Sequence, residues 1–402
     1  MSKVIKDEAL IDTFLTRGVA EIFPSKELLK KKLLSGERIR AYQGFDPSGP
    51  YLHVGHAMGI RALRILQQLG HEVIFLVGDY TAKVGDPDKE TGRPPLSDEQ
   101  IQRNMEGWKD QVSQLIDFEG ENPVLFKRNY EWLSKLNLAE LIKLMSTTTV
   151  QQMLERDLFQ KRIQKQNPIG LQEFIYPLMQ GFDSVAMEVD LEIGGTDQTF
   201  NMLMGRELVK KYLNKEKFVR SNEMMEAPDT LTMRKTQGNG INLSDTPENM
   251  YGKAMSYQDE MIPKGLRLLT DIPIEEIWKI QKSMESGENP MKYKKIMAFE
   301  IVKIIKGEKV AKKAEENFEK TVQKREIDTE SAKSVSIVGK MSIKDFLKNA
   351  TEGKDSASQI KRVIEQGGVE VNGNRIIEQD IQLEFKSKDI IKYGKRSVFK
   401  VL

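Results

Sequence analysis

Apolar and polar positions divide the first part of the chain into alternating strand-like and helix-like segments. Residues 38–45 and the nearly continuous apolar run at 71–78 predict strands, and a helical pattern over about 55–69 lies between them. A strand, a helix and a strand in this order predict a parallel βαβ unit whose strands are buried on both faces. We therefore expect an α/β fold with its chemistry at the carboxyl ends of the strands.

The remaining patterns are mostly helical until the last sixty or so residues. Helical spacing covers 1–37, most of 97–170 apart from a strand at 124–127, and 246–325, while a strand at 190–193 leads into two glycines. Two short helices and several short strands follow after 341. The predicted domains are 1–245 with a helical insertion at about 97–170, 246–328, and 341–402 after a linker at 329–340.

Composition narrows the class of protein. The 62 basic and 60 acidic residues nearly cancel, which excludes a uniformly basic coat for nucleic acid and leaves room only for a local basic patch. Cysteine is absent, which excludes disulfides and Cys-based metal or redox centres and fits a reducing compartment. Without a readable signal peptide or an apolar run of about 18 residues, the sequence predicts a cytoplasmic protein.

Two of the 3 histidines flank a glycine in His53-Val54-Gly55-His56, where a predicted strand gives way to a helix. Imidazoles beside free backbone N–H groups at a helix N-terminus can stabilise charge on a phosphate. Glycine also lets a nucleotide approach the backbone. The motif predicts nucleotide binding, with helix-capping histidines as the alternative. It does not choose among nucleotidyl transferases, because small adenylyltransferases use a similar element.

Tyr176, Gln180 and Asp183 are spaced i, i+4 and i+7, which places them on one stripe of a helix. Most residues around them are apolar, so the helix should be buried and its polar groups should need partners. A bound polar ligand would supply such partners, and a satisfied internal network is the alternative.

Two further segments carry candidate chemistry. In 194–198 (GGTDQ), the glycines permit close ligand contact and the carboxylate suits a pair of ribose hydroxyls, although such turns are common. The basic loop at 233–239 (MRKTQGN) has cations suited to neutralising charge on phosphates, unless it is a solvated loop.

Together these elements resemble the class I aminoacyl-tRNA synthetases, and specifically the bacterial tyrosyl family. His53–His56 matches the HIGH signature, and the 232–236 loop is similar to the KMSKS signature. The tyrosyl likeness rests on residues 42–47, 84–87, 176–183 and 194–198, in the expected order over essentially the whole chain. The resemblance implies a Rossmann-like parallel-sheet catalytic domain, an α-helical anticodon-side domain and a small α+β RNA-binding domain.

The resemblance also implies roles for individual residues. Tyr42 and Asp183 would hydrogen-bond the phenol of a tyrosine substrate. The residues expected near its ammonium and carboxylate groups are Asp86, Tyr176, Gln180 and Gln198. The residues expected to contact ATP are Asp46, Ser48, His53, Gly55, His56, Gly195, Asp197, Arg234 and Lys235. Catalysis would rest on positioning and on charge stabilisation by His53, His56 and Lys235, with Mg²⁺ carried by the ATP.

The basic loop departs from its signature. Thr232, Arg234 and Thr236 stand where the signature has a lysine and two serines, and only Met233 and Lys235 keep the usual residue types. We expect Arg234 to replace the missing positive charge, because a guanidinium binds phosphate bidentately.

Residues 341–402 are similar to the small RNA-binding fold first described in ribosomal protein S-four. Lys361 and Arg362, with Lys395 and Arg396 later in the chain, would give a local cationic surface for RNA phosphates, unless they form only a solvated basic face.

The resemblance implies tyrosine, ATP and tRNA(Tyr) as partners, and a homodimer formed through residues 125–160. Apolar residues there, such as Leu138 and Met145, fit a core equally well. Two other interpretations stay open: a tryptophanyl or other class I synthetase, and a synthetase-like RNA-binding protein without catalysis. The pair Tyr42 and Asp183 favours the tyrosyl interpretation, because both side chains suit a phenol.

Overall fold

A computed structural model describes residues 3–86, 96–228, 240–323, 332–336, 338–353, 355–394 and 397–402, which form two compact units, Met1–Lys312 and Lys313–Leu402. The helices are α1 Glu8–Thr16, α2 Lys26–Leu34, α3 Val54–Gln68, α4 Asp98–Met105, α5 Trp108–Val112, α6 Tyr130–Leu133, α7 Leu138–Met145, α8 Val150–Leu154, α9 Asp157–Gln164, α10 Tyr176–Ala186, α11 Thr199–Leu213, α12 Pro247–Met255, α13 Ile262–Leu269, α14 Ile274–Glu285, α15 Pro290–Lys306, α16 Glu308–Phe318, α17 Ile343–Ala350 and α18 Ala357–Glu365. The strands are β1 Val19–Phe23, β2 Arg40–Phe45, β3 Glu72–Val77, β4 Leu125–Arg128, β5 Leu191–Gly195, β6 Phe218–Asn222, β7 Lys333–Val335, β8 Gly339–Ser342, β9 Val369–Val371, β10 Asn374–Ile376, β11 Gln382–Phe385, β12 Ile390–Tyr393 and β13 Ser397–Val401.

The first unit is built on a six-stranded sheet in the order β1-β6-β5-β2-β3-β4. All its strand pairs are parallel except that of β1 with β6. Residues 73–77 of β3 are all buried, as expected for a parallel strand covered on both faces. The predicted βαβ unit is confirmed as β2-α3-β3, and the Rossmann-like α/β class is confirmed with it.

The prediction that 1–37 is wholly helical is wrong. Gly18, with a φ of +62°, leads out of the region of α1, and β1 then pairs with β6 along the edge of the sheet. A helix resumes at α2, where the Ser25 side chain accepts a hydrogen bond from the backbone of Leu28. Five strand residues between two short helices are too few to interrupt the helical spacing read over a longer window. Strand β6 was not predicted at all.

After the sheet, helices α12 to α15 confirm the helical prediction for this part of the chain. Their apolar faces meet in a core that includes Met250, Leu266, Met297 and Ile301, all of them buried. No helix in the described ranges is long and apolar enough to cross a membrane.

The second unit carries a five-stranded sheet in the order β10-β9-β12-β13-β7 and a two-stranded pair of β8 with β11. Helices α17 and α18 pack on them through a small core in which the rings of Phe346 and Phe385 stack with centroids 4.2 Å apart. Strand β7 lies within the predicted linker 329–340 and pairs with β13. The finer domain boundaries at 245 and 328 stay predictions.

Candidate active site

The predicted site residues gather where parallel strands end. Asp46 follows β2, and its carboxylate accepts hydrogen bonds from the hydroxyls of Thr81, after β3, and Tyr176, on α10, each at 2.8 Å. Gly78 directly follows β3, and a Cβ atom there would collide with the Asp46 carboxylate and the Thr81 hydroxyl. This glycine therefore permits the close approach of β2 and β3 loops that forms the floor of the site.

The two histidines of the HxGH motif lie together at the start of α3. His53 is the N-cap of the helix and has an extended backbone conformation. Its backbone N–H donates to His56 Nδ1 at 3.1 Å, and the two ring centroids are 3.7 Å apart. Because Nδ1 of His56 accepts, the neutral imidazole carries its proton on Nε2. Gly55 lies in the first turn between them. An N–H donor at the helix N-terminus suits a phosphate oxygen.

The segment after the signature loop is joined to this motif by backbone pairing. Val54 N–H donates to Ile241 O at 2.9 Å, Leu243 N–H donates to Leu52 O at 2.8 Å, and Asn242 forms a β-bridge with His53. The signature residues Thr232, Met233, Arg234, Lys235 and Thr236 lie outside the described residues. Within the described residues, the segment 241–243 lies directly beside the start of the HxGH helix.

At the predicted phenol end, Tyr42 and Asp183 are fully buried. Tyr42 Oη lies 2.9 Å from Ser184 Oγ, and Asp183 accepts hydrogen bonds from Trp132 Nε1 at 2.7 Å and Asn129 Nδ2 at 3.1 Å. Burial, with the charges of Glu192 and Asp183, raises the pKa of Tyr42 well above its usual range, so this phenol stays neutral. Burial raises the pKa of Asp183 as well, and the bonds from Trp132 and Asn129 oppose that rise.

A buried ion pair lies behind this end. Lys217, with no exposed surface, donates to Glu192, which also accepts from Ser184 Oγ at 3.3 Å and from Gln180 Nε2 at 3.0 Å. Burial lowers the pKa of Lys217, and the neighbouring carboxylate of Glu192 opposes that shift. The pair connects the polar stripe of α10 to strand β5, so it fixes the orientation of Gln180 and Ser184.

At the predicted ammonium end, Asp86 is held on both oxygens. Arg156 donates to one oxygen at 2.8 Å and Gln198 Nε2 donates to the other at 2.7 Å, while Asn201 links Gln198 and Gln180 through bonds of 3.0 Å each. Arg156 and Asp86 are both buried, so the carboxylate already has a cationic partner from the turn between α8 and α9. Tyr176, expected at this end, donates instead to Asp46.

The remaining residues expected at ATP lie at the same edge. Ser48 N–H donates to Asp46 O at 2.8 Å, and Asp197 accepts from Gln198 Nε2 at 3.0 Å. A Cβ atom on Gly195 would collide with Asp197 Oδ1 and lie 2.7 Å from Met224 Sδ, so any other residue here would displace these two side chains. The roles of all these residues toward a substrate stay predictions.

Sequence reasoning missed the residues that hold the predicted ones in place. Two local signals were available: Asn129 follows β4 directly, and Glu192 is a lone charge in an otherwise apolar strand. The missed residues are Asn129, Trp132, Arg156, Ser184, Glu192, Asn201 and Lys217.

In the second unit, Lys361 and Arg362 are exposed on α18, whose other face buries Ile360 and Ile364. Among the described residues, the only ion pair of Lys361 is a loose one with Glu365 at 3.7 Å, and both cations face solvent. Lys395 and Arg396 lie outside the described residues.

Comparison with known proteins identifies the family of the chain. Residues 34–323 match the family described as tRNA synthetases class I (W and Y). The chain is 40% identical to a tyrosine–tRNA ligase of Thermotoga maritima, over 96% of each chain, and 39% identical to that of Nitrosospira multiformis, again over 96% of each. A solved mitochondrial tyrosyl-tRNA synthetase of Aspergillus nidulans shares the fold with a TM-score of 0.65 at 22% identity, over 77% of this chain and 92% of that one. The chain therefore belongs to the class I (W and Y) tRNA synthetase family.

Proposed function

We propose that this protein is a tyrosine–tRNA ligase that works in two steps at the strand-end site. In the first step a carboxylate oxygen of tyrosine attacks the α-phosphorus of ATP. A new P–O bond forms, the bond to the β-phosphate oxygen breaks, and pyrophosphate leaves. In the second step a ribose hydroxyl at the tRNA 3′ end attacks the tyrosyl carbonyl, and AMP leaves.

The buried phenol end is the observation that carries this proposal. Tyr42 and Asp183 are buried polar groups, close enough that the negative charge of Asp183 contributes to the raised pKa of Tyr42. The hydroxyl of a tyrosine substrate donates a hydrogen bond to the Asp183 carboxylate. Phenylalanine has no hydroxyl, so it leaves the buried Tyr42 and Asp183 without a hydrogen bond to the substrate. An unmet hydrogen bond of this kind costs about 1–3 kcal/mol, so the site selects tyrosine. The indole of tryptophan has no hydroxyl to place there.

The amino-acid backbone would lie between Asp86, Gln180 and Gln198, which are linked through Asn201. A carboxylate suits the ammonium group, and the amide of Gln198 suits the carboxylate. Because these side chains are already held by partners, little reorganisation is needed when the substrate binds.

For the phosphates, His56 and His53 at the start of α3 would donate to the triphosphate, and Lys235 would neutralise charge as it develops. MgATP is the expected form of the nucleotide, since Mg²⁺ is usually bound through substrate phosphates. Asp197 and Gly195 would lie against the ribose. These groups position reactants and stabilise charge, so no covalent intermediate on the protein is required.

We also propose a homodimer and an RNA-binding second unit. Leu138, Ile142 and Val150 are 72%, 58% and 65% exposed on neighbouring short helices, and such a group of apolar side chains suits a protein interface. Leu133 and Leu144 are buried and belong to the core. Lys361 and Arg362, joined by Lys395 and Arg396, would contact tRNA phosphates.

The testing experiment is ATP–pyrophosphate exchange with purified protein and Mg²⁺, driven separately by tyrosine, phenylalanine and tryptophan. Exchange with tyrosine alone supports the proposal. Exchange driven by tryptophan would replace it with the tryptophanyl function. Tight RNA binding without any exchange would favour a synthetase-like RNA-binding protein.

A further inference from the structure

A cavity with several charged side chains in its lining lies away from the strand-end site. It has a volume of about 50 Å³ and is bounded by α1, α3, β6 and the end of α13, and none of its lining residues belongs to the active site described above. Among the described residues, the charged side chains that line it are four arginines, Arg17, Arg61, Arg64 and Arg220, and one carboxylate, Asp271. Four positive charges and one negative charge leave an excess of three positive charges around one small space.

Most partners of these arginines are neutral. Arg61 donates to the carbonyl of Thr270 at 2.9 Å and pairs with Asp271, Arg17 donates to the carbonyl of Ile272 at 2.8 Å, and Arg220 donates to the carbonyl of Phe14 at 2.9 Å. Carbonyls orient the guanidinium groups but carry only partial charge. The cluster is therefore well positioned and poorly neutralised.

Three of the lining arginines also keep a hydrogen-bond donor without a partner among the described residues. The Nε atoms of Arg17, Arg61 and Arg64 are buried and have no hydrogen-bond partner within the part of the chain that the structure describes. Burial and the charge of Arg61 lower the pKa of Arg17 to about 10, and burial lowers the pKa of Arg220 to about 9. Buried donors and uncompensated buried charges are both costly, and native structures normally pair them.

We propose that this cavity is a binding site for a small tetrahedral oxyanion of the phosphate class. Guanidinium groups bind such anions through charge-assisted, often bidentate hydrogen bonds. One water needs about 10–15 Å³ on this measure, so the cavity has room for a group of phosphate size. Thr13 and Asp271 are exposed and Arg64 is half-buried at the opening, which gives an ion a route from solvent.

A bound anion would link three parts of the first unit. Arg61 and Arg64 come from α3, Arg220 comes from β6, and Arg17 follows α1. Since α3 begins at the HxGH motif, the anion would hold that helix against the sheet and against the end of α13. Its expected effect is on stability, because it binds the folded chain and not the unfolded one.

The test is the thermal stability and calorimetric titration of the full chain with inorganic phosphate, at an ionic strength held constant with chloride. In the described part of the chain the side chain of Arg64 has only a 3.5 Å hydrogen bond to Asp271, so the Arg64→Met variant should fold. Arg206→Met is the matched control, because Arg206 is 27% exposed against 29% for Arg64 and lies outside the cavity. We expect Arg64→Met to weaken phosphate binding on the order of tenfold, and the control to bind as the wild type does.

Asp271→Asn distinguishes an anion site from mere packing. Removing the one carboxylate of the lining should tighten phosphate binding, even though it removes the ion pair with Arg61. Unchanged phosphate binding in both Arg64→Met and Asp271→Asn would place the phosphate elsewhere and overturn the proposal. A second pair of results would also overturn the proposal: no phosphate binding by the wild type, and weakened tRNA binding by Arg64→Met. That pair would instead assign this surface to nucleic acid.

Discussion

The ion pair of Arg156 with Asp86 allows a test that separates stability from substrate binding. Both side chains are buried, at 7% and 6% exposure, and their atoms approach to 2.8 Å. Replacing Arg156 with methionine keeps most of the volume and leaves Asp86 buried without its cation. Removing one partner of a buried pair costs about 3–5 kcal/mol.

The lower end of that range is the better estimate here. Gln198 at 2.7 Å and Asn201 at 3.4 Å still donate to Asp86 after Arg156 is lost, so both oxygens of the carboxylate keep a hydrogen-bond donor. We therefore expect Arg156→Met to lose about 3 kcal/mol of unfolding free energy. At about 2 °C per kcal/mol for a unit of this size, the melting temperature should fall by about 6 °C.

The double variant Arg156→Met/Asp86→Asn removes both charges and should recover most of that stability. It should not recover tyrosine binding, because the carboxylate proposed for the ammonium group is gone. The measurements are urea unfolding and the KM for tyrosine in pyrophosphate exchange. Arg162→Met is the control, since Arg162 forms a similarly buried pair with Glu173 and should lower stability without changing that KM.

Two results would refute this reasoning. If the stability losses of Arg156→Met and Asp86→Asn, measured as single variants, simply add in the double variant, the ion pair is not coupled. If the double variant keeps the wild-type KM for tyrosine, Asp86 does not hold the substrate.

Three further predictions concern pH, specificity and the signature loop. Burial and the charge of Arg38 lower the pKa of His71 to about 4, below its unfolded value near 6.5. Up to about 3 kcal/mol of stability is therefore present above pH 6.5 and is lost as the pH falls toward 4. The unfolding free energy of His71→Gln should depend less on pH across that window, and an unchanged pH dependence would exclude His71 as the cause. Asp183→Asn replaces an acceptor oxygen with an amide N–H₂ that faces one of the two donors, Trp132 or Asn129. The variant should lower kcat/KM for tyrosine by about 10- to 100-fold more than for phenylalanine. Equal losses for both amino acids would argue against recognition of the phenol. Lys235→Ala should lower the activation rate more than it weakens tyrosine binding in pre-steady-state measurements, and equal losses would remove Lys235 from the transition state.

The part of the fold that the sequence predicts well is the part with strong local patterns. The apolar run of β3 and the helical spacing of α3 are each long enough to identify alone, and their order fixes a parallel unit. Strand β1 is different, because its five residues are only partly buried and its partner β6 lies about 200 residues away. Its existence depends on a long-range pairing that no local pattern contains.

The same division holds in the active site. Tyr176 and Asp183 are found by spacing because both belong to one helix, and the structure places both inward. Arg156 and Lys217 come from other elements and meet Asp86 and Glu192 only after folding. A long-range ion pair between buried side chains has no periodicity, so spacing alone does not predict it.

The close crossing of α10 and α11 bears on how this pocket can be redesigned for other amino acids. Gly181 and Gly205 face each other so closely that a Cβ on either would lie 3.2–3.3 Å from the Cα of the other. A methyl group at either position would require α10 and α11 to separate by tenths of an ångström, which we expect to shift Asp183 on α10 relative to Tyr42. Attempts to enlarge the pocket by directed evolution should therefore tolerate changes in side chains that line it, while substitutions at these two outlying glycines alter substrate choice without touching the substrate.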